Sequence, residues 1–210
     1  MVKRQLQEYA SVTLRSEDLI GAVDFTQLFG RSAAVHTEIG TGKGTFLLHE
    51  AKAKPEVNFL GIEWARKFHL FAVDRLGRWG LTNVRIIRTD AATFLTQYVP
   101  PESVDCFHIY FPDPWPKKRH HKRRLLQQSN MAVLIRCLKP GGEIRIATDH
   151  AEHFQQIEQV AAAYSNELEP VEFTHPAGTQ EGELTGTNYE RKYIKDKRTI
   201  HTLALRKRLP

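Results

Sequence analysis

The chain has 210 residues, 41% apolar and 10% aromatic, enough for one complete core, and a formal charge of +6. No window reaches the roughly 18 apolar residues of a membrane helix, and the start lacks the order of a secretory leader, so a cytoplasmic protein off the membrane is expected. Two cysteines far apart, Cys106 and Cys137, exclude a disulfide framework or a cysteine zinc site and read as packing residues.

Residues 1–31 read as a mobile amino-terminal arm with helical stretches, and residues 32–210 as a single domain. From Ala33 strand and helix alternate. Ala33 to Ile39 is a strand, followed by a glycine turn and a helix to about Lys54. Asn58 to Ile62 leads into a helix over Arg66 to Arg78, and Val84 to Arg88 into one over Ala91 to Tyr98. The β-branched and aromatic run from Val104 to Phe111 is a strand buried on both faces apart from His108. Met131, Leu134, Ile135 and Leu138 then mark a helix by their i, i+3, i+4, i+7 spacing, stopped by Lys139-Pro140-Gly141-Gly142. Glu143 to Ala147 makes a fifth strand. Five β-then-α repeats specify an α/β fold with a mostly parallel, doubly wound sheet of Rossmann type. Beyond Asn166 the alternation weakens, through a polar loop over His175 to Gly186, to a last strand over Thr199 to Leu205.

The turn Glu38-Ile39-Gly40-Thr41-Gly42-Lys43-Gly44 selects the cofactor. Thr45 and Leu47 stand where a dinucleotide fingerprint needs its third glycine, and the triphosphate loop GxxxxGK[ST] is absent. A carboxylate at Glu38 would repel a pyrophosphate and favour a cation, such as the ammonium or sulfonium of S-adenosylmethionine. Glu63, closing the second strand, is placed for ribose hydroxyls, and Asp90, after the third, for an adenine amino group. Either could instead cap the next helix. Gly40 and Gly42, in the same turn, are further cofactor-binding candidates.

The fourth strand runs into Pro112-Asp113-Pro114-Trp115-Pro116, where three prolines in five residues fix φ and hold Asp113 and Trp115 in place. Next come Lys117, Lys118, Arg119, His120, His121, Lys122, Arg123 and Arg124, the densest positive charge in the chain, suited to phosphate contacts or simply to a solvated surface. His36, His49, His69, His150 and His153 show no metal-ligand spacing, and no metal is expected.

Over nearly its whole length from Val35 the chain resembles the bacterial tRNA (guanine-N7)-methyltransferases. The matching motifs are EIGTGKG at Glu38, LGIE at Leu60, TDA at Thr89, FPDPWPKKRHHKRR at Phe111, ATD at Ala147 and TNYERKY at Thr187. The resemblance implies a class I S-adenosylmethionine-dependent methyltransferase acting on tRNA, at the guanine of variable-loop position 46, as a monomer or homodimer. It assigns Glu38, Glu63, Asp90 and Asp113 to the cofactor or active site. It assigns Lys117, Asp149, Thr187, Asn188, Tyr189 and Glu190 to substrate, and the run Arg119, His120, His121, Lys122, Arg123 and Arg124 to RNA contact.

The chemistry can be argued from the atoms. N7 of guanine carries an in-plane lone pair, so no base is needed to deprotonate it. Positioning remains, together with stabilisation of the cation formed on the base, and Asp113 is the candidate for both. Trp115, Tyr110 or Phe111 are candidates for stacking on an extruded base. Two rival readings are an amino-methyltransferase on adenine or cytosine, whose motif has consecutive prolines that Asp113-Pro114-Trp115 lacks, and an RNA-binding protein that has kept only the fold.

Overall fold

The computed structural model describes residues 5–210, so the first four residues of the expected arm lie outside the described residues. An eight-stranded sheet organises the chain, in the order β1-β4-β3-β2-β5-β6-β8-β7. Its parallel part is β1 (Thr13–Leu14), β2 (Val35–Ile39), β3 (Asn58–Glu63), β4 (Val84–Arg88), β5 (Val104–Tyr110) and β6 (Leu138–Thr148). Two antiparallel strands, β7 (Leu168–Val171) and β8 (His201–Lys207), complete one edge. The helices are α1 (Phe25–Phe29), α2 (Thr45–Ala53), α3 (Arg66–Arg78), α4 (Ala91–Tyr98), α5 (Gln128–Cys137), α6 (Ala151–Ala162) and α7 (Asn188–Lys195).

Strand alternation divides the core between the two faces. On β5, Phe107 and Ile109 join Phe94, Leu134 and Ile157 on one face, while Tyr110 joins Phe46, Phe59 and Leu76 on the other. With both faces covered, the central strands need continuous apolar runs, which is why β3 is buried throughout. From β2 the chain winds outward through β3 and β4, then returns to place β5 on the other side of β2. The carboxyl ends of β2 and β5 therefore form the switch point where an open α/β sheet binds its ligands.

The five β-then-α repeats stand as expected, β2 to α6, and Cys106 and Cys137 are buried free thiols. Four features differ from the sequence reading. The arm carries the helical stretch α1 and also an edge strand that the sequence reading did not place: Thr13 and Leu14 pair with Ile86 and Ile87, with Val12 fully buried beside them. Two residues of pairing are too few to print a period. Strand β6 begins at Leu138, and Lys139 to Gly142 bulge out of its ladder between the Val104 and Cys106 pairings. Strand β7 contains Pro170, tolerated at the sheet edge. Helix α7 lies between the polar loop and the last strand, where the sequence reading placed no element. No helix among the described residues is long and apolar enough to cross a membrane.

Candidate active site

Strand β2 ends in the turn that carries the first candidates. Gly40, Gly42 and Gly44 have φ of 82°, 53° and 67°, left-handed values that L side chains resist. Gly44 also could not carry a Cβ without coming 3.0 Å from Cβ of Ala72 on α3. The turn is tied to β3 by Gly40 N–H donating to the Ile62 carbonyl at 2.8 Å and Gly42 N–H donating to Glu63 Oε2 at 2.8 Å.

Above this turn lies a cavity of about 450 Å³, within the ~300–1,000 Å³ typical of small-molecule sites. Glu38, Gly40, Gly42, Phe46, Phe68 and Tyr110 line it, and α7 closes it with Thr187, Asn188 and Tyr189. Glu38 is 4% exposed, and its Oε2 has no partner. Burial, then the nearby charges of Glu63 and Glu50, push its carboxyl well above the usual range. An unpaired buried carboxylate facing a cavity is a site for a positive group. At Glu38 this fits the sulfonium or ammonium of a cofactor, while Lys43, Arg75 and Lys192 bring positive charge to other parts of the wall.

The other sequence candidates fall into distinct places. Glu63 braces the turn instead of lining the cavity, because its two oxygens accept from Gly42 N–H and Ala65 N–H. Burial raises its carboxyl against the pull of those two donors, and Asp113 adds to the rise. Asp90 is exposed and accepts from Thr93 N–H at 2.8 Å, capping α4, so it stands outside the cavity wall. Asp113 is exposed on the proline turn. Its charge reaches Tyr189, whose phenol is raised by burial, then by Glu63 and Asp113. The turn is strained at Phe111 and Trp115, with φ of 53° and 42°.

Four expected ligand contacts make hydrogen bonds within the protein. Glu190 is fully buried and accepts from the N–H groups of Leu184, Thr185 and Gly186, so it shapes the loop before α7 and does not face a substrate. Asp149 accepts from Arg198 at 2.6 Å. Thr187 caps α7 by accepting from Glu190 N–H at 3.1 Å, and Asn188 donates to Thr45 Oγ1 at 2.7 Å.

The basic run divides as well. Lys117, Arg119, Lys122 and Arg123 are exposed and His120 and His121 half-buried, on a 3-10 stretch over Lys118–Arg123. Arg123 lies over the Trp115 ring at 5.1 Å. Arg124 is a correction to the expected RNA contact, since it is 2% exposed. It donates to the Pro114 carbonyl at 2.7 Å and to both Glu152 oxygens at 3.2 and 3.0 Å. Its charge locks the proline turn to α6.

Sequence reasoning missed several wall residues. Phe68 and Arg75 line the cavity from two turns of α3 facing one way, a spacing of seven that a helical pattern could have flagged. Arg75 donates to Thr45 Oγ1. Lys192 lines it from α7, a helix the sequence hid.

The family model described as "Putative methyltransferase" matches residues 32–203. The chain belongs to that methyltransferase family. It is 44% identical over 145 residues to a tRNA (guanine-N(7)-)-methyltransferase of Nitrosococcus oceani, covering 69% of this chain and 61% of that one. To the protein of the same description from Rhodopirellula baltica it is 34% identical over 198 residues, 91% of this chain and 73% of that one. The match thus spans about three fifths of the Nitrosococcus relative's length. The crystal structure of the aminoglycoside resistance methyltransferase NpmB1 aligns with a TM-score of 0.55 at 18% identity, over 83% of this chain and 87% of that one. The family's fold is therefore the Rossmann-like, class I methyltransferase fold seen here.

Proposed function

We propose that this chain transfers a methyl group from S-adenosylmethionine to N7 of a guanine in tRNA, at variable-loop position 46. The observation that carries the reading is Glu38, a buried carboxylate with an unpartnered oxygen facing a cavity at the switch point of the sheet. The family membership and the relatives described as tRNA (guanine-N(7)-)-methyltransferases support it. The catalytic domain is residues 32–210, working in the cytoplasm.

When bound, the cofactor would supply an electrophilic methyl group on its sulfonium, and guanine N7, with its in-plane lone pair, needs no deprotonation to accept it. The residues of the chain bind and orient. Glu38 answers the positive charge of the cofactor, Gly40 and Gly42 admit it to the backbone, and Glu63 keeps the turn in shape. Asp113 orients the base and stabilises the charge that grows on it. Lys117, Arg119, Lys122 and Arg123 hold phosphates beside the proline turn.

The test is incubation with unmodified tRNA and methyl-labelled S-adenosylmethionine, followed by nucleoside digestion and chromatography. Label in 7-methylguanosine is expected. Label in N6-methyladenosine or a methylated cytidine would move the reading to an amino-methyltransferase. No label together with no cofactor binding in calorimetry would leave an RNA-binding protein.

A further inference from the structure

On the α2 face of the sheet, beneath the cavity, three polar side chains form one hydrogen-bonded file. His36 on β2 is paired in register with Cys106 on β5, and Glu38 with His108. His36 Nδ1 lies 3.2 Å from His108 Nε2, and His108 Nδ1 lies 2.9 Å from Tyr110 Oη. His108 is 1% and Tyr110 5% exposed, with the Phe46 ring packed 4.6 Å from the first and 5.2 Å from the second. The file starts at half-buried His36 and ends at Tyr110, which lines the cavity beside Glu38. Methyl transfer makes no use of either imidazole, and an apolar face would have cost less desolvation.

The protons of the file can be placed. Burial lowers His108 well below the ordinary imidazole value and His36 to about 4, and raises Tyr110 well above the ordinary phenol, so all three are neutral near pH 7. A neutral imidazole has one N–H and one lone pair. Glu38 Oε2 accepts from nothing among the described residues, so the Tyr110 proton goes to His108 Nδ1. His108 then donates from Nε2 to His36 Nδ1, and His36 keeps its proton on Nε2.

Tyr110 stands two residues along β5 from His108, the register partner of Glu38, so the two side chains share one face of the sheet and line the same cavity. We infer that His36 and His108 are positioning residues that hold the Tyr110 hydroxyl down against the sheet, so that Glu38 stays open for the cationic group of the cofactor. The identity of that group rests on the proposed function. Released from His108, the Tyr110 hydroxyl is free to turn toward Glu38, which lines the same cavity, and caps it.

The ligand atoms of His36, Cys106 and His108 lie within 4.8 Å of one another, close enough to hold a metal ion, where sequence spacing gave no hint of one. A metal would need the lone pair that the His36–His108 hydrogen bond uses. The two roles exclude each other.

Calorimetric titration of the full chain with S-adenosylmethionine tests the file in His108→Leu, Tyr110→Phe and the double variant. His108→Leu should weaken binding about tenfold, Tyr110→Phe by about threefold or less, and the double variant should return to the Tyr110→Phe value, because no hydroxyl is left to cap Glu38. A double variant as weak as His108→Leu, or weaker, overturns the inference while leaving the proposed function standing. A wild-type chain that binds no S-adenosylmethionine removes both. Stoichiometric metal in the purified wild type, lost in Cys106→Ser, also overturns it. If His108→Leu does not fold, His108→Phe, closer in shape to the imidazole, removes the same acceptor and carries the same comparison with Tyr110→Phe.

Discussion

The two sides of the candidate site are built by opposite means. At the glycine turn the polar groups are buried and held by strands: Glu38 by β2, Glu63 by backbone donors, Tyr110 by a file of imidazoles. On the proline turn and its basic run the charges are exposed, carried by strained backbone and a short 3-10 stretch. The first side suits a small ligand that must shed its water. The second suits a large polyanion that is steered and gripped while still wet. Arg124 stands between them, a cation in sequence with the second side that packs like a member of the first.

Asp113 joins the two sides, and its removal has the largest expected effect. Asp113→Ala should lower kcat by about 10²- to 10³-fold, the scale of removing one electrostatic partner of a developing charge. Binding of tRNA should stay within a few-fold, as measured by filter binding. Near-normal turnover would remove Asp113 from the chemistry and detach the proline turn from the cavity.

The basic run provides a sharper contrast. Arg119→Ala, Lys122→Ala and Arg123→Ala combined should weaken tRNA binding and flatten the log–log salt dependence by about one unit or less for each phosphate no longer neutralised, leaving the melting temperature unchanged. Arg124→Ala should do the reverse, lowering Tm by about 5 °C or more with little change of salt slope. It leaves the Pro114 carbonyl unpaired and frees the proline turn from α6. Equal salt effects in the two variants would return Arg124 to the RNA surface and erase the division between buried and exposed charge.

Legibility in the sequence followed how local each signal was. Five strands and their helices showed themselves through period and punctuation, and Glu38 with its glycines through a spacing that excluded two other cofactors. The run from Lys117 to Arg124 was visible as charge, but charge says nothing of direction, and only packing on α6 distinguishes Arg124 from Arg123. Glu190 looked like a ligand and is a loop organiser because its three donors lie four to six residues upstream, in a loop without a period. Helix α7 has a mixed polar composition and is held by the Thr187 cap and the Asn188–Thr45 bond across 143 residues. The His36–His108 bond spans 72 residues and depends on register, which no single strand reveals.

The smallest expected effect tests the buried side alone. Glu38 has a folded-state carboxyl well above its ordinary value, chiefly through burial, so the native chain binds its proton more tightly than the unfolded chain does. A group of this kind favours the fold below the ordinary carboxyl value, and that contribution is lost as pH rises toward neutrality. Glu38→Gln keeps the shape and removes the titration. It should therefore raise Tm by a few degrees at pH 7 in the absence of cofactor, with the gain shrinking toward zero as pH falls through about 4.5, while weakening S-adenosylmethionine binding. A gain that did not depend on pH would mean that the side chain is stabilised by packing and not relieved of charge. A loss of Tm at neutral pH would mean that Glu38 already has a partner in the fold, and the cavity would no longer offer an open carboxylate to a cation.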